Sequence, residues 1–217
     1  GLEKVTVIKP KADIIVPPTR SDDLKSSSEV RAMLRDSHDN LWVATKSREL
    51  YRYSPDMKTC RRFPDRTSGD IGVIYSIFED NEGNIWLGTK GDGLVRMTPK
   101  GDRYEWKRFK VGQSGYNSLS SNNIYSIEQD GEGRIWVGTY GGSLSMLPTS
   151  DSREFVTVNN SFPDYPQEVC DRVRYLHCMP DGRMLVATVG GLIIFEPSYN
   201  PELTVFNLVR KIPGDIH

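Results

Sequence analysis

Hydrophobic and polar positions alternate in short bursts along this chain. Runs of five to eight residues rich in Val, Ile, Tyr, Phe and Trp are broken by clusters of Asp, Asn, Gly and Lys, the pattern of strands joined by turns. Between residues 73 and 110 it predicts a first strand in "VIYSIFED", a second in "NIWLGT", a third in "GLVRM" and a fourth in "YEWKRFK". Such a series makes a four-stranded antiparallel meander. The hinge Asp80-Asn81-Glu82-Gly83 reads as a tight hairpin, with the carboxylate accepting turn N–H groups and the glycine taking the left-handed conformation. The second strand is apolar on both sides, so both of its faces must be covered.

The same pattern recurs. Aligned on Trp42, Trp86, Trp136 and Leu185, four copies stand 44, 50 and 49 residues apart. Twelve positions earlier each copy has a β-branched residue: Val30, Ile74, Ile124 and Val173. Six earlier stand Asp36, Asp80, Asp130 and, as the exception, Met179; three later stand Thr45, Thr89, Thr139 and Thr188. The residue two after the anchor is always small (Ala44, Gly88, Gly138, Ala187), as expected where a neighbouring sheet comes close. A period of 40 to 50 residues marks a repeat architecture, and four-stranded sheets that cover one another stack radially into a β-propeller. The expectation is therefore an all-β chain of β-propeller blades at about 30–65, 74–110, 124–160 and 173–209, forming a single partial propeller over 1–217. Residues 1–29 would add an outer strand of a preceding blade or a closure strand. The segment "FNLVRKIPGDIH" stops where another first strand is due, so the two terminal blades would expose apolar faces and self-associate through them.

Composition narrows the function classes. Lys plus Arg number 28 against 29 Asp plus Glu, a formal net charge of −1 that gives no pull toward nucleic acid. The longest apolar stretches, such as "GGLIIF" at 190–195, fall far short of a membrane span, so no membrane contact is expected of these residues. Cys60, Cys170 and Cys178 are too few and too irregular for a disulfide framework or a zinc site, and no cofactor or metal motif is present. His38 falls on a hairpin tip. His177 and Cys178 are strand neighbours that point to opposite faces, which disfavours a catalytic pair and leaves His177 a packing role. The recurrent Asp80, Glu82, Asp130 and Glu132 are turn formers, and catalytic residues are expected to be none.

A binding face is nonetheless predicted. Loops from strand two to three and from blade to blade open on one rim, near the start of each first strand. Register brings Lys46, Lys90, Tyr140 and Val189 to that rim after the threonines, and Arg31, Tyr75, Tyr125 and Arg174 after the β-branched residues. Aromatic faces with polar tips and forked guanidinium donors suit a sugar or an anionic saccharide. The competing reading wedges Tyr75 and Tyr125 between blades. Tyr104, Trp106 and Tyr116 are further candidates.

The run Asp-x-x-Gly-x-[Ile/Leu]-Trp-[Val/Leu]-[Gly/Ala]-Thr, followed by a glycine turn, resembles the two-component regulator propeller repeat. The likeness is carried by Asp80, Gly83, Trp86, Gly88, Thr89, Gly91, Gly93 and Leu94, and by Asp130, Gly133, Trp136, Gly138, Thr139, Gly141 and Leu144. The first copy departs at Asp39 and in "KSREL", and the fourth lacks both Asp and Trp. The resemblance implies a periplasmic sensor region of a hybrid two-component signalling protein, which recognises an oligosaccharide or a partner domain and signals to a histidine kinase elsewhere in the parent chain. Alternatives are a propeller enzyme of streptogramin-lyase or glycosidase type and a plain interaction scaffold.

Overall fold

A computed structural model describes residues 15, 17, 29–63, 70–113 and 118–209. The expected strand at 1–29 therefore lies almost wholly outside the described residues, as do Tyr116 and His217. Four meanders follow one another. The first is β1 (Val30–Arg35), β2 (Leu41–Thr45), β3 (Leu50–Tyr53) and β4 (Cys60–Phe63). The second is β5 (Ile74–Glu79), β6 (Ile85–Thr89), β7 (Leu94–Lys100) and β8 (Arg103–Phe109). The third is β9 (Ile124–Gln129), β10 (Ile135–Thr139), β11 (Leu144–Leu147) and β12 (Val156–Thr157). The fourth is β13 (Val173–Cys178), β14 (Met184–Thr188), β15 (Gly191–Phe195) and β16 (Asn207–Val209). Among the described residues, strands pair only within their own sheet, in sequence order and antiparallel. Only a four-residue helix, Gln167–Cys170, and a 3-10 turn at Pro201–Leu203 interrupt the pattern among the described residues.

The first strands β1, β5, β9 and β13 lie against one another in that order, so the sheets fan out from a common axis as propeller blades. Between them lie three apolar layers. Trp42, Leu50 and Phe63 meet Ile85, Leu87, Val95 and Met97; Trp86, Leu94 and Phe109 meet Ile127, Ile135, Val137 and Phe155; Trp136, Leu144 and Met146 meet Leu176, Met184, Val186 and Ile193. Each of the three tryptophans is buried. Removing about 150–250 Å² apiece from water is worth ~4–6 kcal/mol gross per ring.

A polar bond sets each ring in place. The indole Nε1–H donates to a carboxylate six residues earlier, Trp42 to Asp36 at 2.8 Å and Trp86 to Asp80 and Trp136 to Asp130 at 2.7 Å. The other oxygen accepts turn N–H groups: Asp80 Oδ1 takes those of Glu82 at 3.0 Å and Asn84 at 2.8 Å. One side chain thus closes the hairpin and anchors the core ring. The left-handed position of the hairpin is held by Gly83 (φ 77°) and, in the first copy, by Asp39 (φ 64°).

Close approach explains the small residue after the second and third anchors. A Cβ on Gly88 would lie 2.6 Å from Ile124 Cγ2, and one on Gly138 would lie 2.6 Å from Val173 Cγ1. The β-branched residue that opens one blade therefore fills the gap left in the blade before it.

The terminal faces differ. On the fourth sheet Leu185 is only half-buried, and Leu203 and Val205 after it are 70% and 60% exposed. On the first sheet the side turned away from Trp42 is not open as expected: Val43, Tyr51 and Tyr53 are buried.

Candidate functional site: an arginine–tyrosine ladder on the axial rim

Each first strand begins with a β-bulge. The register jumps between Val30 and Ala32, between Ile74 and Ser76, opposite the step from Gly138 to Thr139 in the third sheet, and between Val173 and Tyr175. The extra residues are Arg31, Tyr75, Tyr125 and Arg174, four of those predicted from the sequence. A bulge re-aims one side chain without disturbing those on either side. Its effect here is visible in the second sheet, where Ile74 packs back toward the first blade while Ser76 faces Gly88 and the third. Tyr75 is left to neither layer.

The re-aimed side chains meet. Tyr75 stacks on Tyr125 with ring centroids 4.9 Å apart, and Tyr125 stacks on Tyr140 at 5.2 Å. The Arg31 guanidinium carbon lies 5.9 Å from the Tyr75 centroid, and that of Arg174 lies 5.5 Å from Tyr125 and 4.8 Å from Tyr140. Five of the predicted residues thus form one ladder across four blades. All three tyrosines are half-buried, and both arginines are exposed. Arg172 extends the ladder, 5.5 Å from Tyr140.

The two predicted lysines stand beside the ladder. Lys46 reaches it through Glu29, which pairs with Lys46 at 3.2 Å and with Arg31 at 2.9 Å. Lys90 is exposed, its backbone bridged to Asn123, and its side chain makes no ion pair among the described residues. Val189 is exposed as well, its N–H bonded to the Arg172 carbonyl.

Backbone clamps hold the rim together. Gly91 and Gly93 both donate to the Asn122 carbonyl of the next blade, at 3.0 and 3.1 Å. Gly141, Gly142 and Ser143 donate together to the Asp171 carbonyl at 3.0, 3.1 and 2.9 Å. The glycine turns of the second and third copies are thus blade-to-blade clasps. In the first copy, which lacks those glycines, Arg48 instead pairs with Asp70 at 2.6 Å. The Gly72 N–H and then Arg48 hold the Asp70 carboxyl below its usual range.

Other candidates fall elsewhere. Tyr104 and Trp106 pack in the layer between the first two sheets, Tyr104 5.8 Å from Trp42 and Trp106 6.5 Å from Phe63. His38 sits on its hairpin tip beside Ser37. His177 does not pack as expected: it is exposed, with Nδ1 3.9 Å from Glu128, so it meets a carboxylate and not an apolar neighbour. Burial pushes the Glu128 carboxyl up. A cleft of about 580 Å³ between Met146, Pro148, Val156, Pro197 and Tyr199 lies at the opposite, hairpin end of the sheets. Its arginine, Arg134, is already tied to Asp130 at 2.6 Å and to the Ser198 carbonyl at 2.7 Å. Arg172 was missed by sequence reasoning, because its only signal is the register that pairs it with Tyr140.

Comparison with known proteins places this geometry in context. The two component regulator propeller family model matches residues 24–47, 68–91 and 118–141. Among solved structures the chain is similar to the extracellular domain assigned to a hybrid two component system of B. thetaiotaomicron, at 23% identity and TM-score 0.70, over 87% of this chain and 24% of that one. A second such domain from the same organism is similar at 23% identity and TM-score 0.64, over 88% of this chain and 26% of that one. The virginiamycin B lyase of Staphylococcus aureus is similar at 15% identity and TM-score 0.60, over 86% of this chain and 57% of that one. These likenesses show a shared fold. The chain spans about a quarter of the length of the two B. thetaiotaomicron domains. No curated protein matches it.

Proposed function

This chain carries two component regulator propeller repeats, and from that premise we propose that it is part of an extracytoplasmic sensor module without catalytic activity of its own. In this reading the ligand, an oligosaccharide or a partner domain, docks on the axial rim, and the signal travels to a histidine kinase in the parent protein. The observation that carries the proposal is the ladder itself: Arg31, Tyr75, Tyr125, Tyr140 and Arg174 come from four blades and touch in sequence. A ligand lying on it contacts several blades at once, so its binding energy acts on how blades sit against each other, which is what a sensor must change. With their faces stacked on one another, the tyrosines offer a sugar their edges and phenolic hydroxyls, which suit its hydroxyl groups. Likeness to hybrid two component extracellular domains supports the same role.

The test is calorimetric titration of the full-length protein with a panel of oligosaccharides, together with Tyr125→Ala. One binder whose heat disappears in the variant is the expected result; no binder, or a binder indifferent to Tyr125, removes the proposal. The likeness to a lyase favours one second reading, a propeller enzyme. Chromatographic detection of a converted product from the same panel would establish it in place of the sensor.

A further inference from the structure

The charges on the rim are lopsided. Five cationic side chains stand on or beside the ladder: Arg31, Lys46, Lys90, Arg172 and Arg174. Facing them are two carboxylates, Glu29, shared by Arg31 and Lys46, and Asp171, 3.9 Å from Arg172. That leaves an excess of three positive charges in one place on a chain whose formal net charge is −1. The excess is also unevenly placed. At the Arg31 end Glu29 is close to both cations, at 2.9 and 3.2 Å. At the other end Arg174 is exposed and has no ion pair among the described residues, and Arg172 has only a loose one.

Geometry adds to charge. The Arg174 guanidinium lies over the Tyr125 and Tyr140 rings, its central carbon 5.5 and 4.8 Å from their centroids. Its N–H donors lie in one plane and make no hydrogen bond or ion pair among the described residues, which leaves a fork matched to a carboxylate or sulfate. Half-buried tyrosine edges and an anion fork are therefore side by side.

We propose that the rim is selective for an acidic saccharide, which lies along the half-buried edges of Tyr125 and Tyr140 while its carboxylate or sulfate is held by Arg174, with Arg172 and Lys90 adding attraction. This rests on the sensor reading above and names its ligand class. Neutral sugars use the same rings but leave the fork unfilled, and attraction from the exposed lysine weakens as salt screens it.

Three probes separate the possibilities in calorimetric titrations of the full-length protein at low and raised ionic strength. They are a tetrasaccharide of galacturonic acid, which offers carboxylates only, a sulfated galactan tetrasaccharide, which offers sulfates only, and neutral maltotetraose. The expected result is that at least one acidic probe binds about tenfold or more tighter than the neutral one, the factor that one charge-assisted contact supplies. Arg174→Gln should remove that preference and Arg174→Lys restore it only in part, because a lysine lacks the fork. Both variants sit at an exposed bulge, and an unchanged thermal midpoint verifies that they fold. Whichever acidic probe binds identifies the anion. Equal binding of neutral and acidic probes, abolished by Tyr125→Ala and unaffected by Arg174→Gln, overturns the acidic preference and leaves the sensor reading standing. Absence of binding by all three, or binding indifferent to both Tyr125 and Arg174, overturns the acidic preference here, and the broader panel then decides the sensor reading separately.

Discussion

Replacing Asp80 with alanine tests the reasoning about the blades most directly. In the folded chain its Oδ2 accepts the buried Trp86 indole N–H at 2.7 Å, while Oδ1 accepts the backbone N–H groups of Glu82 and Asn84 at 3.0 and 2.8 Å. Asn84 Nδ2 donates to both oxygens. The exposed Glu82 turn can give its N–H to water after the substitution. The indole cannot, because Trp86 is fully buried between the second and third blades. A hydrogen bond to a charged acceptor is worth about 1.5–3 kcal/mol net, and an orphaned buried donor costs about 1–3 kcal/mol more. Asp80→Ala should therefore destabilise by about 3–5 kcal/mol, a large share of the ~5–15 kcal/mol that holds a domain. Guanidinium denaturation followed by tryptophan fluorescence measures it. The fourth blade supplies the control, since Asp181 occupies an exposed turn with only Arg183 as side-chain partner, and Asp181→Ala should leave the midpoint where it was. In a Trp86→Phe background the indole no longer needs an acceptor, so Asp80→Ala should cost about 1–3 kcal/mol less there. If Asp80→Ala proves as mild as Asp181→Ala, or its cost is the same in both backgrounds, the carboxylate–indole bond is not what fixes the blade.

Gly138→Ala should lower stability by about 1–3 kcal/mol through overpacking, because the new methyl would lie 2.6 Å from Val173 Cγ1; Val173→Ala in the same chain should return part of the loss, as read from thermal midpoints. Acid should act through Asp36: burial raises its pKa, but bonds from Asn40, Trp42 and His38 outweigh that and hold it below the ordinary 3.8. The stability this contributes is present above the unfolded value and is lost as pH falls through the lower folded value, so acid titrations below about pH 4 should show a component that Asp36→Asn removes. Thiol labelling of the native protein should reach Cys60 before Cys178 and leave Cys170 unmodified until denaturant is added, since Cys60 is exposed, Cys178 half-buried and Cys170 buried. Burial pushes the Cys60 thiol up, so its rate should climb as pH is raised above neutrality.

The blades were legible because their causes are local and repeated. A β-branched residue and a threonine stand at constant offsets in all four copies, and a carboxylate with its aromatic anchor in three; Ile74, Ile124 and Val173 pack between blades, the carboxylates bond the indoles, and Thr89, Thr139 and Thr188 donate to the carbonyls of Gly93, Ser143 and Gly191. The joint departure of the fourth copy has the same cause: the copy that has Met179 in place of aspartate is also the copy that has Leu185 in place of tryptophan. A buried indole N–H needs that acceptor, so the two losses are one event. The rim residues could be placed by register, but their ladder could not be foreseen. It depends on the bulges, which shift pairing by one residue without changing the spacing of the anchors. The buried outer face of the first sheet was equally hidden, because Tyr51 and Tyr53 alternate with Arg52 as they would on a solvated strand.

The bulges also explain how a repeating scaffold can carry one asymmetric place. If residues 31, 75, 125 and 174 lay in the interblade layers, each would be bound by the packing rules that make the copies alike, and a charged side chain there would be costly. Taking them out of register with both layers frees their identity. The four equivalent positions can then read Arg, Tyr, Tyr, Arg while the residue before each stays β-branched and the one after it is small in the first three copies, Ala32, Ser76 and Ser126. Variation at this position does not weaken the stack. A ligand surface assembled from those positions can therefore change its chemistry while the blades that display it keep their packing.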